Sequence, residues 1–534
     1  MTPIDHPDKA GRGNNLGISL LRRFERLREL SDLDKAITAL QAAVDATLDD
    51  HPDKAARLSN LGLSLGTRFW HRGVPTDLDK AIAVQQHAVN LTTDDQPDKP
   101  TCLTNLGNSL LSRFERLSKP DDLNLAMATL QHAVDLTPDN HPDKARHLNN
   151  LGNTFRARFE HQGALTDLDA AITTQQQAVN HAHDDHPNKA RYLNNLGKTY
   201  LTRATHQPDD EISLARAVLV YSQCARSSSG PPSFRLEAAR MWAALCFSRH
   251  STESIDAYSN LISLLPRVVW LGRTVDQRYK DIPDIGDAVA GAAAAAIHFG
   301  ELNLALEWLE QGRSIVWGQM LQLRTPVENL RQHHPHEAEA LEKISRDLES
   351  AGMVETPDHS KFSDVGTSQT GEEIAQAHRR LADEYGGVVG RIRNFPNFSE
   401  FLLPRKSASL CSAAVSGPVV VVNAHIARCD ALILRPHSSH VCHVALPGLQ
   451  LSAAREMQLQ LAGLTRGIDT LQRDYMPYSD DEWPWKDRGL VDILGQLWLH
   501  VVKPILHSLK VGCLIYRRVR GLIIAHAVAP KARA

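Results

Sequence analysis

No two cysteines of this sequence stand in a C-x-x-C spacing. The seven lie apart, at Cys102, Cys224, Cys246, Cys411, Cys429, Cys442 and Cys513. An odd, scattered set with no such pair fits a reducing compartment. An excess of charge of one sign is also missing. Lysine plus arginine number 59 against 62 aspartate plus glutamate, so there is no basic footprint for nucleic acid. Long apolar runs are lacking too: Ala288 to Phe299, read as the most apolar stretch, is interrupted by His298 and is shorter than the ~18 residues a membrane span needs. It reads as a buried helix. The first residues, "MTPIDHPDKAGRGNNLG", have no basic-then-apolar leader pattern. A phosphate-binding loop is absent as well, because Gly197-Lys198-Thr199 has Tyr192 where the first glycine is required. That counts against a receptor with a nucleotide-binding switch. A soluble cytoplasmic protein is expected, with no cofactor, no metal site, no nucleic acid and no membrane.

What the sequence has is repetition. Asn-Leu-Gly recurs at Asn15, Asn60, Asn105, Asn150 and Asn195, a step of 45 residues each time. His/Gln-Pro-Asp/Asn-Lys begins in the same register at His6, His51, Gln96, His141 and His186. A third series is Arg23, Arg68, Arg113, Arg158 and Arg203, followed by Phe in the first four copies. Such a period signals stacked units that bury their apolar faces on one another. In the second copy Leu58, Leu61, Leu65 and Phe69 form one stripe of a helix beginning near Asp53. Gly62 lies on it and lets another helix approach. The turn "HRGVP" ends it. Thr76 to Asp79 read as a capping box, as do Ser31 to Asp34 and Thr166 to Asp169. Leu78, Ala81, Ile82, Ala88 and Val89 then form the inner face of the second helix.

Leu61-Gly62, Ala81, Ala88 and a turn proline such as Pro138 resemble the tetratricopeptide repeat. The units are longer than the usual 34 residues, with extra loop residues as in kinesin light chain-like proteins. The resemblance covers about residues 6 to 220, and "SSSGPP" at 227 to 232 breaks the pattern. It implies a mainly α superhelix of stacked helix pairs whose first helices line a groove. In proteins of this kind such a groove binds extended peptide segments. Asn60, Asn105, Asn150 and Asn195 form a ladder suited to that, since an amide offers an acceptor and two donors to a peptide backbone. Arg68, Arg113 and Arg158 either grip acidic partner residues or pair with a carboxylate of their own repeat, such as Asp77 or Asp167. The recurring His of "HPDK" marks a turn and not a metal site.

Residues 1–222 are therefore assigned to five repeats, 233–348 to degenerate helical repeats, 349–373 to a polar linker, and 374–534 to a helix and a partial α/β segment. "GELNLALEWLEQGRSIVWGQMLQLRTP" reads as one more helix pair, with stripes at Leu302, Ala305, Leu306 and Leu309 and at Ile315, Val316, Trp317 and Met320. Val419 to Val422, Ala431 to Leu434 and His440 to Leu446 read as strands. The order of repeats, "LEWLEQGRSIVWGQ" helix and strands resembles the CHAT family, whose caspase-like domain carries a His-Gly and a nucleophilic Cys at strand ends. Neither is found here: His526 is followed by Ala527, and His440, Cys442 and His443 share one strand. The chain reads as an incomplete CHAT protein, a non-catalytic scaffold. The alternative is a caspase-like or separase-like cysteine peptidase whose catalytic half lies outside this chain.

Overall fold

The computed structural model describes residues 8–27, 30–268, 282–313, 327–352, 371–471, 488–509 and 524–525. It divides into two compact units, Met1–Ala238 and Ala239–Ala534.

The first unit is a solenoid of five helix pairs. They are α1 (Lys9–Leu27) with α2 (Leu30–Asp45), α3 (Lys54–Arg72) with α4 (Pro75–Leu91), α5 (Lys99–Leu117) with α6 (Pro120–Leu136), α7 (Lys144–Gln162) with α8 (Leu165–His181), and α9 (Lys189–His206) with α10 (Glu211–Arg226). Each second helix also packs on the first helix of the next pair. The stripe Leu58, Leu61, Leu65 and Phe69 is buried as the period requires. Gly73 ends α3 in the left-handed region, at φ 69°, with its N–H on the carbonyl of Phe69. Only glycine takes that conformation without strain.

The capping-box expectation is corrected. Val74, in extended conformation, precedes α4, and Pro75 occupies the first turn, where its missing N–H costs no hydrogen bond. Thr76 thus lies inside the helix and caps nothing. Asp77 is buried and held by Arg68. Ser31 and Thr166 likewise fall inside α2 and α8.

Within each pair one glycine sets the closest approach. A Cβ on Gly62 would stand 2.5 Å from Gln85 Cγ, on Gly107 2.5 Å from Leu130 Cγ, and on Gly152 2.4 Å from Gln175 Cγ. The residue facing the glycine alternates: Leu40, Gln85, Leu130, Gln175, then Tyr221. Gln85 and Gln175 are buried, although their side chains are polar. Gln175 is satisfied, donating to Asn153 Oδ1 at 2.9 Å and accepting from Thr199 Oγ1 at 2.7 Å.

In the second unit Glu253–Val268, Ile282–His298 and Leu302–Arg313 are helices, and Ala292 to Ala296 are fully buried. The stripe at Leu302, Ala305, Leu306 and Leu309 falls on the third of these, whereas Ile315 to Met320 and most of the expected linker lie outside the described residues. Pro335–Gly352 and Gly371–Arg393 share a core of Leu341, Ile344, Leu348, Tyr385, Val388 and Ile392. Strands β1 (Val419–Ala424), β2 (Cys429–Leu434) and β3 (Val441–Ala445) form an antiparallel meander, and a two-residue strand, β4 (Ile524–Ala525), lies parallel to β1. The order is β3-β2-β1-β4. One sheet face, with Val420, Val422, Ala431 and Ile433, packs on Val501 and Ile505.

Gly489–Ser508 is a helical stretch of 20 residues at mean hydropathy 1.3. By length and composition it could cross a membrane, a property that the reading centred on Ala288 to Phe299 passed over. One side carries Val501 and Ile505 onto the sheet. Val491, Leu494, Trp498 and Leu499 are exposed.

Candidate functional site: the amide ladder and its neighbours

The four ladder amides are half-buried on the first helices of their pairs, but they are not equivalent. Asn60 Nδ2 donates to Asn14 Oδ1 at 3.0 Å, and Asn195 Nδ2 donates to Asn149 Oδ1 at 3.0 Å. In each case the acceptor stands 46 residues earlier, on the first helix of the preceding repeat. At the corresponding positions before Asn105 and Asn150 stand Ser59 and Thr104. These shorter side chains turn to other partners: Ser59 Oγ is 3.3 Å from Cys102 Sγ, and Thr104 Oγ1 is 2.6 Å from His147 Nδ1. Among the described residues the Asn105 side chain therefore has no hydrogen-bond partner. The Asn150 amide only accepts, from Asn149 Nδ2 at 3.3 Å.

The arginine series occupies the other end of the first helices. Arg68 is bidentate to Asp77, both contacts at 2.7 Å, and its Nη1 reaches Asp34 of the preceding repeat at 3.0 Å. Arg113 repeats this with Asp122 at 2.7 Å and Asp79 at 2.9 Å. Arg158 Nε donates to Asp167 at 2.8 Å, and its Nη2 engages the same carboxylate. The planar fork suits this bidentate geometry. Hydrogen bonds to the two carboxylates raise the Arg68 and Arg113 pKa above the ordinary guanidinium value.

The histidine and the lysine of the turn phrase each have a structural role. His51, His141 and His186 accept the backbone N–H two residues on through Nδ1, at 3.1 Å. The lysine that follows reaches back to the preceding helix: Lys54 Nζ donates to the carbonyls of Val44 and Thr47, and Lys144 Nζ to those of Val134 and Thr137. The last carbonyls of a helix have no partner within it, and the lysine supplies one. Phe24, Phe114 and Phe159 meet His71, His161 and His206 of the next repeat edge to face, at 4.8 to 5.2 Å.

In the sheet, Cys442 packs on the face shared with Val501 and Ile505. His443 points to the other face, where its Nε2 lies 2.6 Å from Asp430 Oδ1. Arg428 holds the same carboxylate at 2.7 and 2.8 Å. Adjacent strand residues face opposite ways, so this cysteine and histidine do not form a dyad. Among the described residues no cysteine thiol hydrogen-bonds an imidazole. Burial pushes the Cys224 thiol up to about 12 and the Cys246 thiol up to about 11, and raises those of Cys411 and Cys429.

No curated protein matches the chain. Among solved structures it is similar to a thermophilic TPR protein, TTC0263, of Thermus thermophilus. The identity is 16%, covering 45% of this chain and 99% of that one, at a TM-score of 0.31. It is also similar to a kinesin light chain candidate from Podospora anserina with nearly identical TPR-like repeats, at 15% identity, 42% and 100% coverage and a TM-score of 0.31. A third is MamA, at 21% identity, 38% and 91% coverage and a TM-score of 0.25. The family model of the tetratricopeptide repeat matches residues 145–188, which hold nearly all of α7 and the whole of α8. The other copies repeat that helix pair at the same interval, a stack of helix pairs like a tetratricopeptide-repeat solenoid.

Proposed function

We propose that the chain is a protein-interaction scaffold whose first helices bind an extended peptide segment of a partner, and that Asn105 and Asn150 are the contact points. The observation that carries this reading is the inequality of the ladder. Asn60 and Asn195 give their donors to a neighbouring amide, whereas Asn105 makes no side-chain bond and Asn150 keeps both donors. An amide with free donors and acceptor can pair with a peptide N–H and C=O whatever the peptide's sequence. The second unit is read as a caspase-like element of the CHAT type that performs no chemistry of its own. The separation of Cys442 from His443 across the sheet supports this.

The test compares two double variants of the full chain against an arrayed library of unstructured peptides. Asn105→Ala with Asn150→Ala should weaken peptide binding by roughly fivefold to a hundredfold, about 0.5–1.5 kcal/mol for each of at least two lost bonds. Asn60→Ala with Asn195→Ala should leave them within about twofold, apart from any loss of stability. Equal effects from the two pairs would show that the ladder is packing.

A further inference from the structure

Apart from the amide ladder, the junction of the third and fourth repeats departs from the period. In three repeats the guanidinium Nη1 of the series is engaged by an aspartate 34 residues earlier: Arg68 by Asp34, Arg113 by Asp79 and Arg203 by Asp169. For Arg158 that position is Asn124. Asn124 is exposed, and among the described residues no carboxylate or amide accepts from Arg158 Nη1. Its remaining polar contacts are with Asp167 alone.

A second departure coincides with the first. Where the second and third repeats bury Leu65 and Leu110, the fourth has Phe155, which is only half-buried. The Phe155 ring lies 5.5 Å under the Arg158 guanidinium carbon. It also lines a cleft of about 460 Å³ between α6 and α8, whose floor is Val134, Leu148 and Leu151 and whose sides include Gln131 and Thr174. That volume falls in the range of ligand-sized clefts. One residue thus joins an incompletely paired cation to a cleft of mixed lining whose apolar part is Val134, Leu148, Leu151 and Phe155 itself.

We infer that this junction docks an acidic segment of a partner protein. A partner carboxylate takes the place that aspartate fills at the other junctions, and a neighbouring apolar side chain enters the cleft past Phe155. Charge complementarity selects this occupant: Arg158 offers a fixed N–H with a geometry that three sibling sites show to be matched by a carboxylate. Asp169, the carboxylate in the cleft wall, is already held by Arg203.

The test uses the full chain and fluorescein-labelled peptides with one Asp and one Leu separated by zero to three glycines, beside the same peptides with Asn for Asp. At one spacing the Asp peptide should bind about fivefold or more tighter than its Asn counterpart, and the preference should shrink as salt is raised. Asn124→Asp supplies the missing carboxylate from within the array without touching the Arg158–Asp167 pair. It should abolish the preference and raise the melting temperature of the array, whereas Asn124→Ala should keep the preference. Equal behaviour of Asp and Asn peptides at every spacing, including no binding of either, would overturn the proposal, as would an undiminished preference in Asn124→Asp. Because Asn105 and Asn150 are not involved, failure here leaves the ladder reading standing, and the reverse also holds.

Discussion

Lys99 reaches back across a repeat boundary: its Nζ donates to the carbonyls of Val89 at 2.9 Å and of Thr92 at 2.7 Å. The side chain is buried, so an ammonium that would be costly to desolvate alone is held by two carbonyls and by Asp94 nearby, at 3.7 Å. Replacing it with methionine keeps the volume and leaves both carbonyls without that donor. Lys99→Met should destabilise the array by about 1–3 kcal/mol, read as a lower urea midpoint with unchanged slope. Amides of the α4 C-terminus should lose protection from hydrogen exchange first.

Two glycines on one helix should respond in opposite directions. A methyl group on Gly62 meets Gln85 at 2.5 Å, while on Gly66 it meets nothing nearer than 4.0 Å. Gly62→Ala should cost about 1–3 kcal/mol through overpacking. Gly66→Ala should stabilise by about 0.4–1 kcal/mol, because alanine is the better helix former and restricts the unfolded chain. Thermal or urea unfolding of the two variants side by side decides it.

Acid should weaken the repeats through one buried histidine. His147 is buried between the third and fourth repeats, and burial holds its imidazole down at about 4, with Arg146 acting in the same direction. The unfolded chain takes up that proton near pH 6.5 and the folded chain does not, so stability falls as pH drops from about 6.5 to 4. The full effect of this one group is on the order of 3 kcal/mol. His147→Gln, which can still bond Thr104, should flatten stability against pH in that window.

Thiol chemistry gives a fourth test. With Cys224 and Cys246 raised by burial, iodoacetamide at pH 8 should modify both far more slowly in the folded chain than in urea. Peptide mapping that found either one modified rapidly in the native protein would indicate an activated thiol and revive the peptidase alternative.

Much of this fold was legible, because a repeated helix period states its buried stripe five times over. Leu58, Leu61, Leu65 and Phe69 could be read from their spacing, and so could the close approach at Gly62. Gln85 could not, since a buried amide has the same sequence signature as an exposed one until its neighbour is known. The helix starts were displaced for a similar reason. Thr76 and Asp79 have capping-box spacing, yet Pro75 already opens the helix, and Asp77 between them lies beside Arg68, a contact made across a turn. For the ladder, residue type was visible but availability was not. Whether Asn60 or Asn105 keeps free donors depends on a residue 46 positions earlier, and no local pattern reports that.

Nearly all the bonds that join one repeat to the next connect immediate neighbours: lysine to the preceding carbonyls, arginine to the preceding aspartate, phenylalanine to the following histidine. An array tied in this way transmits tension link by link. Pulled from its ends, it should lengthen in a staircase, each step releasing one 45-residue unit, or roughly 150 Å of extended chain. One junction then yields while its neighbours stay closed.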